Sequence, residues 1–224
     1  MWTGPNQFED GRTFESIDPG TGQPFATVAQ AGASEAEAAI QVARRAFEKS
    51  GWATLDPAER SRRVMAFADL MTQQAVRLAM MESMDSGGII ARTGTEVLLG
   101  SGLLRNLAYY AGKRFPWTES IPVPGNPFIP GRNYIRRELI GVCVGVIPWN
   151  FPLTMALWKI GQAIIMGNSV VLKPATNTPI MALILGEVLQ QSPIPRGVVN
   201  IVAGPGGDLG RILCTHKEVD KVAF

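Results

Sequence analysis

The segment of residues 141–175, GVCVGVIPWNFPLTMALWKIGQAIIMGNSVVLKPA, constrains the fold more than any other part of the chain. Its residues 142–147 are an apolar run typical of a strand that is buried on both faces. The pattern then predicts a tight loop, a helix over residues 153–166 and a second buried strand over residues 169–172. This order favours an open parallel sheet, in which ligands bind beyond the carboxyl ends of the strands.

Two prolines, Pro148 and Pro152, bracket the loop between the first strand and the helix. Proline restricts its own backbone, and we therefore expect the loop to hold Asn150 in a fixed place at the ligand-binding edge. A fixed amide N–H stabilises the negative charge that a carbonyl oxygen gains when a nucleophile attacks its carbon. From the loop alone, a structural role is an equally good interpretation, in which the Asn150 side chain forms hydrogen bonds with backbone groups of the turn.

The rest of the sequence continues the alternation of strands and helices, which implies right-handed crossovers between parallel strands. Turn and cap signals upstream predict a hairpin within residues 14–29, helices over 34–50, 56–84 and 96–111, a proline-rich loop over 115–130 and a strand over 133–139. Downstream, the same signals predict a helix over 179–191, a strand over 198–202, a short helix over 208–215 and a strand over 219–224.

The composition is that of a globular protein, because 224 residues with 46% apolar side chains can bury a sizeable core. A net charge of +2 is too small to indicate a nucleic-acid or membrane-surface partner. The sequence has no run of 18 apolar residues, and its N-terminus has no apolar signal core. We expect a soluble, cytoplasmic protein.

The two cysteines, Cys143 and Cys214, fit a reducing compartment. Cys143 alternates with apolar neighbours in a predicted strand, and Cys214 lies late in a short helix, so neither has the surroundings of a nucleophile. His216 is the only histidine and no G-x-S-x-G motif is present, which argues against a Ser-His-Asp site. No metal site is predicted.

The long helix predicted over residues 56–84 carries two further patterns. Its basic cluster is interpreted as a solvated helix face and comprises Arg60, Arg62 and Arg63. Its methionine-rich end is interpreted as core filling and comprises Met80, Met81 and Met84.

Four short motifs together resemble the aldehyde dehydrogenase superfamily, although each alone is weak. PWNFP (148–152) resembles its oxyanion loop, and KPATNTP (173–179) resembles its adenosine-ribose site. GPGGDLG (204–210) resembles its pyrophosphate-side glycine segment, and VDKVAF (219–224) resembles the strand before a further glycine loop. The resemblance begins near Phe14 and covers nearly the whole chain.

The resemblance implies a Rossmann-like parallel sheet with flanking helices, an N-terminal helical segment and part of an oligomerisation arm, that is, a truncated aldehyde dehydrogenase fold. It divides the chain into residues 1–131 of the cofactor-binding domain, an arm strand at 132–140 and the βαβ portion at 141–224. The family's Gly-Ser-Thr cofactor loop, general-base Glu and nucleophilic Cys are expected after residue 224, and the catalytic domain is therefore expected to be absent.

The activity implied by the resemblance is oxidation of an aldehyde to a carboxylate by NAD(P)+ through a cysteine thiohemiacetal. The implied partners are a small-molecule aldehyde and, for the parent enzyme, further copies of itself, with no nucleic acid or membrane. The alternative is a catalytically inactive dinucleotide-binding or structural fragment. The sequence does not distinguish which aldehyde would be the substrate.

The resemblance also implies roles for individual residues. Asn150 is the catalytic oxyanion donor, and the cofactor-binding positions are Ile147, Trp149, Lys173, Thr176, Gly206 and Gly210. The substrate positions lie at helical spacing i, i+4 and i+7 and are Phe151, Met155 and Trp158. Packing of the same helix face against the sheet is the alternative interpretation of these three side chains.

The cofactor prediction depends mainly on Lys173 and Thr176. A lysine after a buried strand, at the switch-point edge, can donate to ribose hydroxyls or neutralise a phosphate, although an ordinary exposed lysine is the alternative. NAD-preferring members of the family commonly have Glu at the position of Thr176. Thr does not repel a 2′-phosphate and its hydroxyl can donate, so NADP is tolerated alongside NAD. The glycine segment is weak evidence, since a bare turn explains it equally well.

Overall fold

A computed structural model describes residues 11–121 and 133–224 of the chain. Strands and helices alternate along the second half, as the sequence predicts. In chain order the elements are β1 (Thr13–Asp18), β2 (Gln23–Ala29), α1 (Ala33–Lys49), α2 (Pro57–Gln73), α3 (Ala75–Ser86), α4 (Ile90–Lys113), β3 (Thr118–Ile121), β4 (Asn133–Arg136), β5 (Val142–Val146), α5 (Pro152–Ile165), β6 (Ser169–Lys173), α6 (Ile180–Gln190), β7 (Val199–Ile201), α7 (Gly207–Thr215) and β8 (Lys221–Ala223).

The central sheet has four strands in the order β7-β6-β5-β8, and each neighbouring pair is parallel. Strands β5, β6 and β7 are almost wholly buried, which explains their continuous apolar sequences. Helices α5 and α6 pack on one face, and α1 and α7 pack on the other. Helices α2, α3 and α4 form an outer layer beside α5 and α6.

The strand order places the topological switch point between β5 and β8, because the chain proceeds from β5 to β7 in one direction and then returns to the other side of β5. The loop that carries Asn150 follows β5 and is therefore next to the switch point. Lys173 ends β6, one strand away. The direction of the crossovers changes only after β7, so Lys173 lies at the same carboxyl edge as the switch point but on the neighbouring strand.

Two predicted elements differ from the structure in extent. The helix expected over residues 56–84 is two helices that meet at Gln74, whose φ and ψ of −101° and 15° are not helical. The break lets α3 pack against both α4 and α6. The helix expected from residue 96 begins at Ile90, directly after Gly87 ends α3 in the left-handed conformation.

The predicted loop over residues 115–130 contains a strand instead. β3 pairs antiparallel with β4, and Thr118 lies opposite Arg136. The prolines around this segment concealed the strand from the sequence pattern, because proline is typical of loops. The N-terminal ten residues and residues 122–132, which belong to the predicted domain segments, lie outside the described residues.

Arg60 is buried, contrary to the predicted solvated basic face. It is 2% exposed, and its guanidinium donates to the carbonyl oxygens of Ile165, Trp52 and Leu55 at 2.9, 3.2 and 3.2 Å. The three carbonyl oxygens at the ends of a helix and a turn thus stabilise the buried guanidinium group of Arg60, which the sequence alone predicted to be exposed to solvent. Arg62 and Arg63 pair with Glu59 at the surface.

No helix in the described parts of the chain is long and apolar enough to cross a bilayer. In the same residues, no group of three or more His, Cys, Asp or Glu side chains is arranged to hold a metal ion.

Candidate functional site

The carboxyl ends of β5 and β6 are joined by a hydrogen bond from the Ile147 N–H to the Lys173 carbonyl oxygen at 3.1 Å. The Val202 N–H donates in the same way to Leu172 O at 2.9 Å. The segments after β5, β6 and β7 therefore emerge at one edge of the sheet. This edge brings together most of the residues predicted to bind a cofactor.

The loop of residues 148–151, called here the Asn150 loop, lies at the surface of this edge. Trp149 is 60% exposed, and Asn150 and Phe151 are also exposed. Arg92 of α4 fixes the loop, since its guanidinium donates to the Asn150 carbonyl oxygen at 3.0 Å and lies 5.1 Å from the centre of the Phe151 ring. Within the described residues the Asn150 side chain has no hydrogen bond, so its amide does not satisfy a backbone group of the turn.

Lys173 is buried, with 4% of its surface exposed, which excludes the interpretation as an ordinary exposed lysine. Its ammonium group donates to the carbonyl oxygen of Pro174 at 3.1 Å. Across residues 11–121 and 133–224, no carboxylate lies within ion-pair distance of it. Burial accordingly lowers the pKa of Lys173. A buried cation without a counter-charge is suited to an anionic or hydroxyl-rich ligand.

Thr176 connects the segment after β6 to the glycine segment after β7. Its hydroxyl donates to the Gly204 carbonyl oxygen at 3.1 Å. The single hydroxyl proton is thus already used, and it is not free to donate to a phosphate as the sequence suggested. What remains in support of NADP tolerance is the lack of a negative charge at this position.

The glycine segment contains one position that packing requires and others that it does not. A methyl group on Gly204 would lie 2.7 Å from the Ala31 carbonyl oxygen, whereas one on Gly206 or Gly210 would meet nothing within 4 Å. Gly206 precedes α7, which has no side-chain cap. The backbone N–H groups at this helix start are therefore free of side-chain acceptors and face solvent.

The three predicted substrate residues do not share one environment. Phe151 precedes α5 as its N-cap and Trp158 is half-exposed, while Met155 packs against the hydrophobic core. Because Phe151 is not helical, the i, i+4, i+7 spacing does not describe its position. Their role toward a substrate stays a prediction.

Both cysteines are free and lie where the sequence predicted them. Cys143 is buried in β5, and burial raises the pKa of its thiol. Cys214 is half-buried on α7. Neither lies in the Asn150 loop or in the helix that follows it.

A group of buried acids below the Asn150 loop was missed at the level of sequence. Glu82 and Asp85 of α3 and Glu96 of α4 are all less than 5% exposed. Burial raises the pKa of Glu82 to about 8 and the pKa of Asp85 to about 6. The available signal was periodicity, since Leu78, Glu82 and Asp85 share one helix face at i, i+4 and i+7. That face turns inward, and Met80, expected in the core, is 54% exposed.

The buried acids contact the starts of two helices. Glu82 Oε1 accepts from the Leu153 N–H of α5 at 3.3 Å, and Asp85 Oδ2 accepts from the Met181 N–H of α6 at 2.9 Å. Glu96 accepts from the Thr154 hydroxyl at 3.3 Å. The acids therefore act as caps supplied from other helices, and they connect α3 and α4 to the base of the Asn150 loop.

The parallel sheet, its switch point and the polar residues at its carboxyl edge define an open α/β protein with flanking helices. The sequence model of the aldehyde dehydrogenase family matches residues 6–224. The chain belongs to the aldehyde dehydrogenase family, as its motifs suggested.

Individual relatives agree with this membership. DhaS of Bacillus subtilis (strain 168) is 42% identical over 216 residues, which are 96% of this chain and 42% of the relative. Aldehyde dehydrogenase 1A1 of Homo sapiens is 39% identical over 228 residues, 98% of this chain and 44% of the relative. The crystal structure of betaine aldehyde dehydrogenase from Staphylococcus aureus in complex with NAD+ is 32% identical, with a TM-score of 0.89, over 96% of this chain and 42% of that one.

The chain thus spans about two fifths of the length of the relatives that it matches. What it matches is their N-terminal portion, in agreement with the predicted truncated fold.

Proposed function

We propose that this chain is the dinucleotide-binding portion of an NAD(P)-dependent aldehyde dehydrogenase and that it contributes the oxyanion donor to aldehyde oxidation. The observation that carries this proposal is the buried ammonium group of Lys173 at the carboxyl end of β6, without a carboxylate partner among the described residues. Family membership supplies the reaction class. The substrate would be a small aldehyde, and the complete enzyme a homo-oligomer in the cytoplasm.

The residues at the sheet edge fit a dinucleotide. Lys173 would hold the adenosine ribose or a phosphate, with Thr176 beside it, and the open N–H groups after Gly206 would face the pyrophosphate. Ile147 and Trp149 would border the cofactor at the end of β5. When bound, the nicotinamide ring supplies the two-electron acceptor of the reaction.

Asn150 would stabilise the negative oxygen that forms when a thiolate attacks the aldehyde carbon. Its side-chain amide is exposed at the switch point and has no hydrogen bond within the described residues, while its backbone is fixed by Arg92. Loss of one such donor typically costs about 2.7–4 kcal/mol of transition-state stabilisation. Phe151 and Trp158 would border the aldehyde, because both present exposed apolar surface, Phe151 next to Asn150 in the chain and Trp158 on the helix that follows.

Calorimetric titration of the chain with NAD+ and NADP+ tests the proposal. Lys173→Gln removes the charge and retains a donor, and we expect it to weaken binding at least tenfold, since hydrogen bonds to a charged group contribute about 1.5–3 kcal/mol. Lys217→Gln removes an exposed lysine beyond α7 and is the matched control. Binding that is unchanged in Lys173→Gln would contradict the proposed site.

A further inference from the structure

Helix α5, which follows the Asn150 loop, lacks a cap of its own. Its N-cap residue, Phe151, makes no side-chain cap bond, and Pro152 at the first helical position has no N–H. The first N–H that needs an acceptor is that of Leu153, and Glu82 of α3 supplies it at 3.3 Å. The start of α5, and with it the end of the Asn150 loop, therefore depends on a residue 71 positions away in sequence.

Glu82 and Glu96 face one another in this buried space. Glu82 Oε2 and Glu96 Oε1 are both buried and accept no hydrogen bond from the described residues, so neither oxygen has a donor if both carboxyl groups are ionised. One proton between the carboxyl groups satisfies both oxygens at once. Two buried carboxylates this close do not ionise together at neutral pH, because like charges in a poorly solvated place repel strongly.

Arg92 links this acid pair to Asn150. Its Nε lies 3.4 Å from Glu96 Oε1, and its two terminal nitrogens donate to Asn150 O at 3.0 Å and to Ser86 Oγ at 2.9 Å. A single guanidinium group thus contacts the acid pair on one side and the backbone of the proposed oxyanion donor on the other.

We propose that Glu82, Glu96 and Arg92 form a proton-dependent clamp, in which one proton shared by the two carboxyl groups keeps Arg92 bound to the Asn150 carbonyl. Glu82 is the protonated member at neutral pH, and Glu96 is the carboxylate that pairs with Arg92. All three are positioning residues, since none needs to touch a substrate. The consequence for catalysis depends on the proposed role of Asn150, whereas the clamp itself does not.

The charged groups around the pair are few. On its own helix Glu82 faces Asp85, and from α4 it faces Glu96 and, through it, Arg92. Helix α5 contributes only the uncharged Leu153 N–H and Thr154 hydroxyl. β1 and α6 reach Asp85 through the uncharged Ser16 hydroxyl and Met181 N–H.

Loss of the shared proton is expected near the raised pKa of Glu82, about 8. Burial is the main cause of this value, and the negative charges of Glu96 and Asp85 add to it. The ionised pair carries a second negative charge that draws the guanidinium toward the carboxylates. Arg92 then leaves the Asn150 carbonyl, and the loop loses its anchor.

Nuclear magnetic resonance on the isotopically labelled 224-residue chain tests the clamp without cofactor or substrate. The Leu153 amide proton and the Asn150 carbonyl carbon are followed from about pH 6 to about pH 9.5. We expect both signals to titrate with one common midpoint near pH 8. The proposal is overturned if the chemical shift of the Asn150 carbonyl carbon does not change with pH, or if it changes with a different midpoint from that of the Leu153 amide proton.

Variants separate the clamp from a general pH response. Glu82→Gln imitates the protonated carboxyl group, because its amide donates to Glu96 and its oxygen accepts from Leu153. We expect it to abolish both titrations. Asp85→Asn is the matched control for a buried acid that caps α6, and it should retain both titrations with a slightly lower midpoint. Titrations that persist in Glu82→Gln refute the assignment.

The result of the pH titration by nuclear magnetic resonance does not depend on the result of the calorimetric titration with NAD+ and NADP+. Failure of the dinucleotide titration together with an intact common midpoint would refute the proposed function and leave the clamp standing. Normal cofactor binding together with an Asn150 carbonyl chemical shift that does not change with pH would refute the clamp alone.

Discussion

Glu82 illustrates how a single buried acid makes stability depend on pH. Its pKa is about 8 in the folded chain, against 4.5 as the ordinary value, and burial is the main cause. Between these values the unfolded chain releases a proton that the folded chain retains. The free energy of unfolding therefore falls as pH rises through this window. Above pH 8 the full loss of stability caused by ionising the buried Glu82 is present.

Glu82→Gln should remove most of this pH dependence. We expect urea unfolding to show near-equal stability of wild type and variant at about pH 4.5 and a gain for the variant of roughly 2–4 kcal/mol at pH 8, since one pKa unit corresponds to about 1.4 kcal/mol. Asp85, with a pKa of about 6, should leave a smaller slope in the variant. A variant that is less stable than wild type at pH 8 would contradict this account.

Thr176 is the residue at which cofactor preference should change. The wild-type chain should bind NADP+ about as tightly as NAD+, because no carboxylate is present here to repel a 2′-phosphate. In Thr176→Glu, we expect a shift toward NAD+ of at least tenfold in the ratio of the two affinities, measured by calorimetry. Thr176→Gln is the uncharged control and should keep the wild-type ratio. Strong discrimination for NAD+ in the wild type would refute the prediction.

Helices α4 and α5 approach closely at glycines, which sets the position of α5 and of the loop before it. A methyl group on Gly100 of α4 would lie 2.4 Å from Cδ1 of Leu157, a fully buried side chain of α5. Gly102, on the same helix, has open space where its side chain would be. The two glycines therefore have opposite roles although their sequence surroundings are alike.

Alanine at these two positions should have effects of opposite sign. Gly100→Ala is expected to destabilise the chain by about 1–3 kcal/mol through overpacking. Gly102→Ala is expected to stabilise it by about 0.5–1 kcal/mol, because alanine in a helix loses less backbone entropy than glycine. Urea denaturation of the two variants beside wild type measures both. Equal shifts in the same direction would show that the contact with Leu157 does not restrict α5.

The elements that the sequence predicted well are those whose pattern is local. Apolar runs located β5 and β6, and proline and glycine located the starts and ends around them, to within one or two residues. The Asn150 loop was found for the same reason. The ends of the other helices were found less well, since Gln74 interrupts a helix with no glycine or proline to mark the place.

What the sequence did not predict depends on partners that are distant in the chain. Arg60 is buried because carbonyl groups of α5 and of the turn before α2 accept from it. Glu82 is buried because α5 begins with a proline and needs an acceptor from elsewhere. Periodicity could have placed Glu82 on an inward face, but the reason for an acid there exists only in the packed molecule.

For the molecule as a whole, exposed apolar surface predicts self-association. β8 is an edge strand of the sheet within the described residues, and α4 and α5 expose Leu98, Leu99 and Trp158. Light scattering at micromolar concentrations should detect species larger than 24.2 kDa. Leu98→Gln with Leu99→Gln should reduce them, while Val76→Gln, at an exposed position on another helix, α3, should not. A monodisperse wild-type monomer would refute this prediction.

The 224-residue chain alone should not oxidise aldehydes. Covalent catalysis needs a thiolate that can reach the aldehyde carbon, and this chain has only two cysteines. The thiol of Cys143 is buried within β5 with a raised pKa, and Cys214 lies on α7, which crosses the opposite face of the sheet from α5. Neither thiol is placed to form the adduct whose oxygen Asn150 would stabilise.

The measurement is the formation of reduced nicotinamide cofactor by the purified chain with a panel of aliphatic and aromatic aldehydes. We expect no turnover above the reaction without protein. Turnover that disappears in Cys143→Ser or in Cys214→Ser would show that the nucleophile is one of these two residues and that its position has been misjudged. A different result is turnover that appears only after a separately expressed catalytic domain of a relative is added, and that falls at least a hundredfold in Asn150→Ala. This result would support the proposal that the nucleophile comes from another domain and that Asn150 is the oxyanion donor.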